Sequence, residues 1–196
     1  PRTRIKICGL TREADVAAAV AAGADAIGFN LYPKSPRYVE PARAAQLARL
    51  LPPMVTPVLL FVNEDAINIE AACAMVAGAT IQFHGDEPAA ECAALAGRLQ
   101  RPFWRAARIP TGGTAPFDLL EFAHDFAQAQ ALVLDARVQG YGGGGRTFDW
   151  SQLPANIPAH LVLAGGLTPA NVSAGIAALR GRGLSLAVDV SSGVEA

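Results

Sequence analysis

The chain has 196 residues, of which 52% are hydrophobic and 17% are charged, so it can bury the core of one globular domain. Its net charge is −1 and it carries no block of like charges, so nucleic acid and anionic membrane surfaces are not expected partners. The three cysteines have no CxxC spacing and the histidines do not cluster. We therefore expect neither a disulfide framework nor a metal site.

Three further features predict a cytoplasmic protein without a membrane partner. The odd number of cysteines fits a reducing compartment. The amino terminus enters a strand-like pattern almost at once, which leaves no space for the apolar stretch of a signal peptide. No uncharged apolar run is long enough to span a bilayer.

Apolar runs of strand length alternate with longer alanine- and leucine-rich segments from one end of the chain to the other. The predicted strands are 4–8, 26–30, 55–62, 80–84, 102–109, 131–135, 161–164 and a last run that ends within 188–194. The predicted helices are 11–22, 41–51, 63–78 with Asn63 as its cap, a fourth opened by Asp86 or Glu87, 117–126, a short one near Trp150, and one opened by Thr168 and Pro169.

This alternation predicts the fold class. Near-continuous apolar strands separated by helices indicate a parallel sheet that is covered by helices. The number of units matches the eight of a (β/α)8 TIM barrel. We therefore expect a single barrel domain over residues 1–196, slightly shorter than the roughly 250 residues typical of this fold.

Two loops near the carboxyl end are suited to a phosphate. In the first, strand 161–164 is followed by Gly165 and Gly166, with Thr168 predicted as a helix N-cap and Pro169 at the first helical position. Such a turn leaves backbone N–H groups and a helix dipole facing an anion. The second loop contains Ser191, Ser192 and Gly193. Barrel enzymes use adjacent loops near the end of the chain to hold phosphorylated substrates.

The ends of the other predicted strands carry the remaining candidate residues, because barrel active sites lie at the carboxyl ends of the strands. They offer one thiol, amides, a histidine, arginines and carboxylates, namely Cys8, Asn30, Asn63, His84, Arg105 or Arg108, Asp135 and Asp189.

Eight motifs together resemble the phosphoribosylanthranilate isomerase family of tryptophan biosynthesis, in family order over nearly the whole chain. They are KICGLT (6–11), GFNLYPKSPRYV (28–39), FVN (61–63), QFHGDE (82–87), LDA (134–136), FDW (148–150), LAGGLTPANV (163–172) and VDVSSGVE (188–195). The resemblance implies an Amadori rearrangement of N-(5-phosphoribosyl)anthranilate to 1-(2-carboxyphenylamino)-1-deoxyribulose 5-phosphate. It also implies that no metal or redox cofactor takes part.

By the same resemblance, Cys8 is the base that removes the proton from C2 and Asp135 is the acid that protonates the ring oxygen. The residues agree with these roles. Lys6 points to the same side of its strand as Cys8, where an ammonium helps to hold a thiolate. Asp135 follows an apolar run, and apolar surroundings favour the protonated form of a carboxyl group.

Three further residues are expected to bind substrate. Arg37 lies on the loop after the second strand, where its guanidinium can pair with the anthranilate carboxylate. His84 either lines the pocket or is a hydrogen-bonded residue behind it. Asp189 either orients the base region, or hydrogen-bonds a ribose hydroxyl, or only caps the next turn. Cys73 and Cys92 lie within alanine-rich helices and are predicted to be structural.

The glycine run 142–145 resembles a mobile lid over the substrate. The family commonly has threonine and lysine where this chain has Gly144 and Arg146, so the contacts of this loop stay open. The family also continues past the eighth strand into a last helix, whereas this chain stops at Ala196. We therefore expect the eighth strand to lack its covering helix.

Two other functions compete with the isomerase interpretation. The first is a different phosphosugar barrel, such as the aminoimidazole-carboxamide isomerase of histidine biosynthesis, which usually has a carboxylate where Cys8 stands. The second is a barrel that binds phosphorylated ligands without catalysis. A phosphorylated small molecule is the expected partner in each case, and both a monomer and a homodimer are compatible with the sequence.

Overall fold

The computed structural model describes residues 2–111, 117–137 and 147–195. Its eight strands follow chain order in a closed barrel, which confirms the predicted (β/α)8 fold. The strands are β1 (Arg4–Cys8), β2 (Ala26–Asn30), β3 (Thr56–Phe61), β4 (Thr80–Phe83), β5 (Phe103–Pro110), β6 (Ala131–Arg137), β7 (His160–Leu163) and β8 (Ser185–Val190).

Six α-helices lie within the described ranges. They are α1 (Glu13–Ala21), α2 (Pro41–Ala48), α3 (Ala66–Met75), α4 (Ala89–Leu99), α5 (Leu119–Asp125) and α6 (Val172–Leu179). Two short 3-10 helices, Trp150–Gln152 and Ser192–Val194, follow β6 and β8 in the chain. The first of them confirms the short helix predicted near Trp150.

The chain divides into two compact units. The amino-terminal unit is Ile5–Phe103, and the carboxy-terminal unit is Trp104–Ala196 together with Pro1–Arg4. The expectation of a single domain over residues 1–196 stays a prediction.

In the amino-terminal unit, parallel register sorts the side chains of β1 to β4 onto two faces. Cys8 pairs with Gly28, Gly28 with Val58, and Leu60 with Gln82, so these residues share one face. Phe83 is on the opposite face, where it lines a cavity of about 440 Å³ between α3 and α4. The face that carries Cys8 and Gln82 is therefore the one turned away from the helices.

In the carboxy-terminal unit, one face of the strands forms a small apolar core. Its buried members are Ala106, Ala131, Val133, Val162 and Ala164, and Trp104 and Ala187 pack against it. Alternation along β6 and β8 then places Asp135, two residues after Val133, and Asp189, two residues after Ala187, on this same face.

Arg105 and Arg108 lie on opposite faces of β5. Arg105 is buried, with its guanidinium carbon 4.9 Å from the ring centroid of Phe126 and 5.8 Å from that of Phe122. It is therefore a packing cation on the helix side, stabilised over aromatic faces. Arg108 is in register with Asp135, so of the two candidates only Arg108 shares a face with the predicted acid.

The predicted start of α6 at Thr168 and Pro169 was wrong. The helix begins at Val172 after a turn, and the Thr168 backbone N–H donates to Oδ1 of Asn171 at 2.8 Å. The Asn171 amide also donates to the Gly166 carbonyl at 2.9 Å. The Asn171 side chain thus ties together the turn that precedes the helix, which begins three residues after Pro169.

The predicted cap of α3 at Asn63 was also wrong, because α3 begins at Ala66 with Asp65 at its N-cap position. Asn63 has a left-handed backbone with φ of 49°, and its side-chain oxygen accepts from the Asp86 N–H at 2.7 Å. Glu87 accepts from the Asn63 N–H at 2.8 Å, and α4 begins only at Ala89. These three residues therefore join the loops after β3 and β4 instead of opening helices.

Within the described ranges, no helix is long and apolar enough to cross a bilayer.

Two helical glycines, one exposed and one buried, provide a matched test of how closely the helices pack against their neighbours. Gly97 on α4 is exposed, and a Cβ there would have no neighbour within 4 Å. Gly175 on α6 is buried, and a Cβ there would be 2.7 Å from Cδ2 of Leu163 on β7. We expect Gly97→Ala to raise the free energy of unfolding by about 0.5–1 kcal/mol. We expect Gly175→Ala to lower it by about 1–3 kcal/mol through overpacking.

Urea unfolding of the two variants beside the native chain measures both effects. An equal gain in stability from both substitutions would contradict the close approach of α6 to β7.

Candidate active site

Cys8 ends β1 beside a buried lysine. Cys8 is 9% exposed and Lys6 is 2% exposed. Gly28 on β2 lies against both side chains, since a Cβ on it would be 2.6 Å from the Cys8 sulfur and 3.0 Å from Cε of Lys6. The thiol and the stem of the ammonium group therefore occupy the same small space, as the alternation along β1 predicted. This geometry suits a thiolate, whose charge a nearby ammonium stabilises.

The loop after β2 is held by two short polar side chains. Asn30 donates from its amide to the Ser35 hydroxyl at 3.0 Å and accepts from the Tyr32 N–H at 2.9 Å. The Ser35 hydroxyl also accepts from the Arg37 N–H at 3.1 Å. Asn30 and Ser35 thereby fix the backbone that carries Arg37.

The stem of Arg37 lies directly on Gly9, the residue after Cys8. A Cβ at Gly9 would overlap Cδ of Arg37, and Gly9 has a φ of +84° that favours glycine. The structure therefore brings Arg37 and Cys8 together at the end of β1, as a common substrate site requires.

His84 follows β4 on the same face as Cys8, and its backbone N–H continues the sheet by donating to the Phe61 carbonyl at 2.9 Å. It is 6% exposed, and its Nδ1 lies 3.1 Å from Nε2 of Gln82, which is fully buried. Gln82 was not among the predicted site residues, although it stands in the QFHGDE motif.

In the carboxy-terminal unit, Asp135 lies against the first glycine of the loop after β7. Asp135 is 7% exposed, and a Cβ on Gly165 would be 2.7 Å from its Oδ1 and 2.6 Å from the Ala136 backbone nitrogen. The φ of +75° at Gly165 also favours glycine. Asp189, also 7% exposed, shares this face. Both predicted carboxylates of this unit are thus buried on one face, and Asp135 lies against the glycine loop.

The two predicted phosphate loops are in direct contact with each other. A Cβ at Gly193 would overlap the carbonyl oxygen of Leu167, so only glycine allows this approach. Among the backbone–backbone hydrogen bonds of the described residues outside helices and strands, none has the N–H of Gly166, Ser192 or Gly193 as its donor. Open N–H groups on adjacent loops are what an anion requires.

The remaining cysteines differ from Cys8 in their surroundings. Cys73 on α3 is 2% exposed, and burial raises the pKa of its thiol, which keeps it protonated. Cys92 on α4 is 1% exposed and donates weakly to the Glu87 carbonyl, with the sulfur 3.9 Å from the oxygen. These environments fit the structural role that was predicted for both.

No group of three or more histidine, cysteine, aspartate or glutamate side chains within residues 2–111, 117–137 and 147–195 is placed to hold a metal ion. The predicted glycine lid at 142–145, with Gly144 and Arg146, lies outside these ranges.

Sequence reasoning missed the polar side chains that hold other site residues, namely Gln82, Ser35 and Asn171. Each stands in a quoted motif, but its role depends on its contacts in space.

A family model described as N-(5'phosphoribosyl)anthranilate (PRA) isomerase matches residues 5–196 of the chain. The N-(5'-phosphoribosyl)anthranilate isomerase of Methylibium petroleiphilum is 58% identical over 194 residues, covering 99% of this chain and 85% of the relative. The enzyme of the same name from Leptothrix cholodnii is 56% identical over 194 residues, covering 99% of this chain and 83% of the relative.

Solved structures agree with these relatives. The phosphoribosyl anthranilate isomerase of Thermotoga maritima has a TM-score of 0.82 and 37% identity, covering 100% of this chain and 90% of that chain. Another structure of such an isomerase holds reduced 1-(o-carboxyphenylamino)-1-deoxyribulose 5-phosphate, with a TM-score of 0.77, 35% identity and coverage of 100% and 90%.

The hydrogen bonds of the loop after β2 lead to a test of its order. Replacing Ser35 by alanine removes the acceptor of the Arg37 N–H, so we expect that amide to exchange with solvent about fivefold faster. Hydrogen exchange resolved by residue measures this. Ser173→Ala, on the exposed side of α6, is the matched control. Unchanged exchange at Arg37 would show that the Ser35 hydroxyl does not hold the loop.

Proposed function

Because the chain belongs to the N-(5'-phosphoribosyl)anthranilate isomerase family, we propose that it converts N-(5-phosphoribosyl)anthranilate to 1-(2-carboxyphenylamino)-1-deoxyribulose 5-phosphate in tryptophan biosynthesis. One observation carries the assignment of the residues: Cys8 ends β1 over Gly28, beside the buried Lys6. A proton acceptor is needed at C2 of the sugar, and a thiolate held by an ammonium supplies it.

The reaction requires one proton donor and one proton acceptor. Asp135 gives its proton to the furanose ring oxygen as the bond from that oxygen to C1 breaks, and C1 and the amine nitrogen then share a double bond. Cys8 takes the proton from C2, which leaves an enol conjugated with the amine. A proton then adds to C1 while the enol hydroxyl loses its proton, which gives the ketone. Two protons are added and two are removed, so the atoms of substrate and product balance. No step calls for a metal or a redox cofactor.

The anionic ends of the substrate have separate acceptors in this proposal. Arg37 pairs with the anthranilate carboxylate, which a guanidinium recognises in a bidentate manner. The phosphate binds the two glycine and serine loops, where the backbone N–H groups of Gly166, Ser192 and Gly193 are its donors in this proposal. The ligand of the solved relative carries the same two groups, a carboxyphenyl group and a phosphate.

His84 and Asp189 are proposed to bind the sugar between these two ends. Both are buried at the carboxyl ends of their strands, at 6% and 7% exposure, and both face away from the helices. A hydroxyl-rich substrate needs such donors and acceptors in a dry site, since hydrogen bonds are electrostatically stronger there.

We propose the cytoplasm as the location and a monomer or homodimer as the assembly. None of the three cysteines, which all lie within the described residues, is paired in a disulfide, which fits a reducing compartment. A solved relative from Thermotoga maritima is described as dimeric.

The first prediction of this mechanism concerns the acid and the base. Loss of a general acid or base typically costs about 10²- to 10⁴-fold in rate, so we expect Cys8→Ser and Asp135→Asn each to lower kcat by that factor. The substrate is generated in place from anthranilate and phosphoribosyl pyrophosphate, and the loss of its fluorescence gives the rate. Cys73→Ser, at a buried cysteine outside the site, is the control. Full activity in Cys8→Ser would remove Cys8 as the base.

The second prediction concerns the carboxylate. Replacing Arg37 by methionine keeps the stem over Gly9 but removes the charged fork. We expect KM to rise by roughly tenfold to a hundredfold with little change in kcat, because a hydrogen bond to a charged group contributes about 1.5–3 kcal/mol. The exposed Arg49→Met on the end of α2 is the control. A collapse of kcat with KM unchanged would contradict this assignment.

A further inference from the structure

Gln82 and His84 form a buried side-chain pair two residues apart at the end of β4. The Gln82 side chain is fully buried, and its Nε2 lies 3.1 Å from Nδ1 of His84. Its other polar atom, Oε1, is buried and has no hydrogen-bond partner among the described residues. A fully buried amide with one of its two polar groups unpartnered lowers the stability of the fold. The presence of a glutamine at this position therefore calls for an explanation.

The chemistry of the two groups fixes the direction of this hydrogen bond. An amide nitrogen only donates, so the Nδ1 that faces it accepts and carries no hydrogen. The proton of the neutral His84 ring is then on Nε2. Turning the amide over would place its two N–H donors where Oε1 now stands without a partner. Orphaned N–H groups are rarer in protein interiors than under-satisfied carbonyl oxygens, so the observed orientation is favoured.

We propose that Gln82 is a positioning residue that holds His84 in the Nε2–H tautomer, so that His84 presents a hydrogen-bond donor to an oxygen of the phosphosugar substrate. This inference rests on the proposed function, because it takes the sugar to be the group that His84 meets. Gln82 itself acts only through His84.

The tautomer also separates His84 from the proton transfer. His84 shares a face of the sheet with Cys8 and Lys6. An imidazole with a free Nε2 would be a second base near the thiolate, whereas an Nε2–H group can only donate. Gln82 therefore leaves Cys8 as the acceptor for the C2 proton and makes the ring a fixed polar contact, which requires no reorganisation during the reaction.

The ring nitrogens can be observed directly in the native chain. A long-range ¹H–¹⁵N correlation spectrum of uniformly labelled protein at about pH 8, where free imidazole is neutral, distinguishes a ring nitrogen that carries hydrogen from one that does not. The chain has three histidines, and His84→Asn identifies the signals of His84. His160, which is exposed with its Nδ1 2.8 Å from the Ser185 hydroxyl, is the internal reference.

Two substitutions test the part played by Gln82. In Gln82→Glu a carboxylate faces Nδ1 and can only accept, so we expect His84 to gain a proton on Nδ1. In Gln82→Met the side-chain volume is similar but the amide is gone. There we expect KM to rise about fivefold to tenfold as the donor loses its orientation, with the melting temperature nearly unchanged.

The outcomes are separable from those of the proposed function. A bare Nδ1 in the native chain and a protonated one in Gln82→Glu support the inference, whatever the turnover. A native His84 with hydrogen on Nδ1 overturns it, and so does a spectrum that is the same in folded Gln82→Glu. If Gln82→Glu does not fold, KM of Gln82→Met decides, and an unchanged KM overturns the inference. A native chain that lacks turnover but shows a bare Nδ1 contradicts only the proposed function.

Discussion

Parallel pairing with a fixed register sets which side of the sheet each side chain occupies, because a slip of one residue would turn every side chain to the other side. The register that joins Cys8 to Gly28 also brings Gln82 and His84 to the face of the thiol. The same rule puts Asp135 and Asp189 on one face in the carboxy-terminal unit. A polar or charged side chain can therefore share the face of the candidate site only from every second position of a strand. Arg108 shares a face with Asp135, whereas Arg105 packs over aromatic rings on the helix side.

Glycines provide the second condition, since they let neighbouring groups approach more closely than any side chain would allow. Gly28 makes space for the sulfur of Cys8 and the stem of Lys6, and Gly165 makes space for the carboxyl of Asp135. In each case, a Cβ at the glycine position would collide with an atom of the functional side chain. The proposed acid and base thus each pack directly against the backbone of a glycine.

The fold and the main candidates were predictable because both depend on local signals. Strand ends, helix stops such as Gly23 and the collinear motifs are readable one segment at a time, and Gly23 indeed has the left-handed φ of 90°. The start of α6 was not readable, since Thr168 and Pro169 are a strong local signal for a helix start, yet they lie in a turn that the Asn171 side chain ties together. The Asn63 N–H donates to Glu87, which lies 24 residues further along the chain. A pattern within one segment cannot predict such a contact.

The contact between Gly193 and the Leu167 carbonyl has a consequence for exchanging parts between barrels. The loop after β7 and the loop after β8 touch where Gly193 meets the Leu167 carbonyl oxygen, and any side chain at position 193 would collide with that oxygen. A loop taken alone from another phosphate-binding barrel would meet a neighbour shaped for a different partner. The two loops therefore form one transferable module, and it is as a pair that they would have to be moved, lengthened or redesigned for a ligand with a differently placed phosphate.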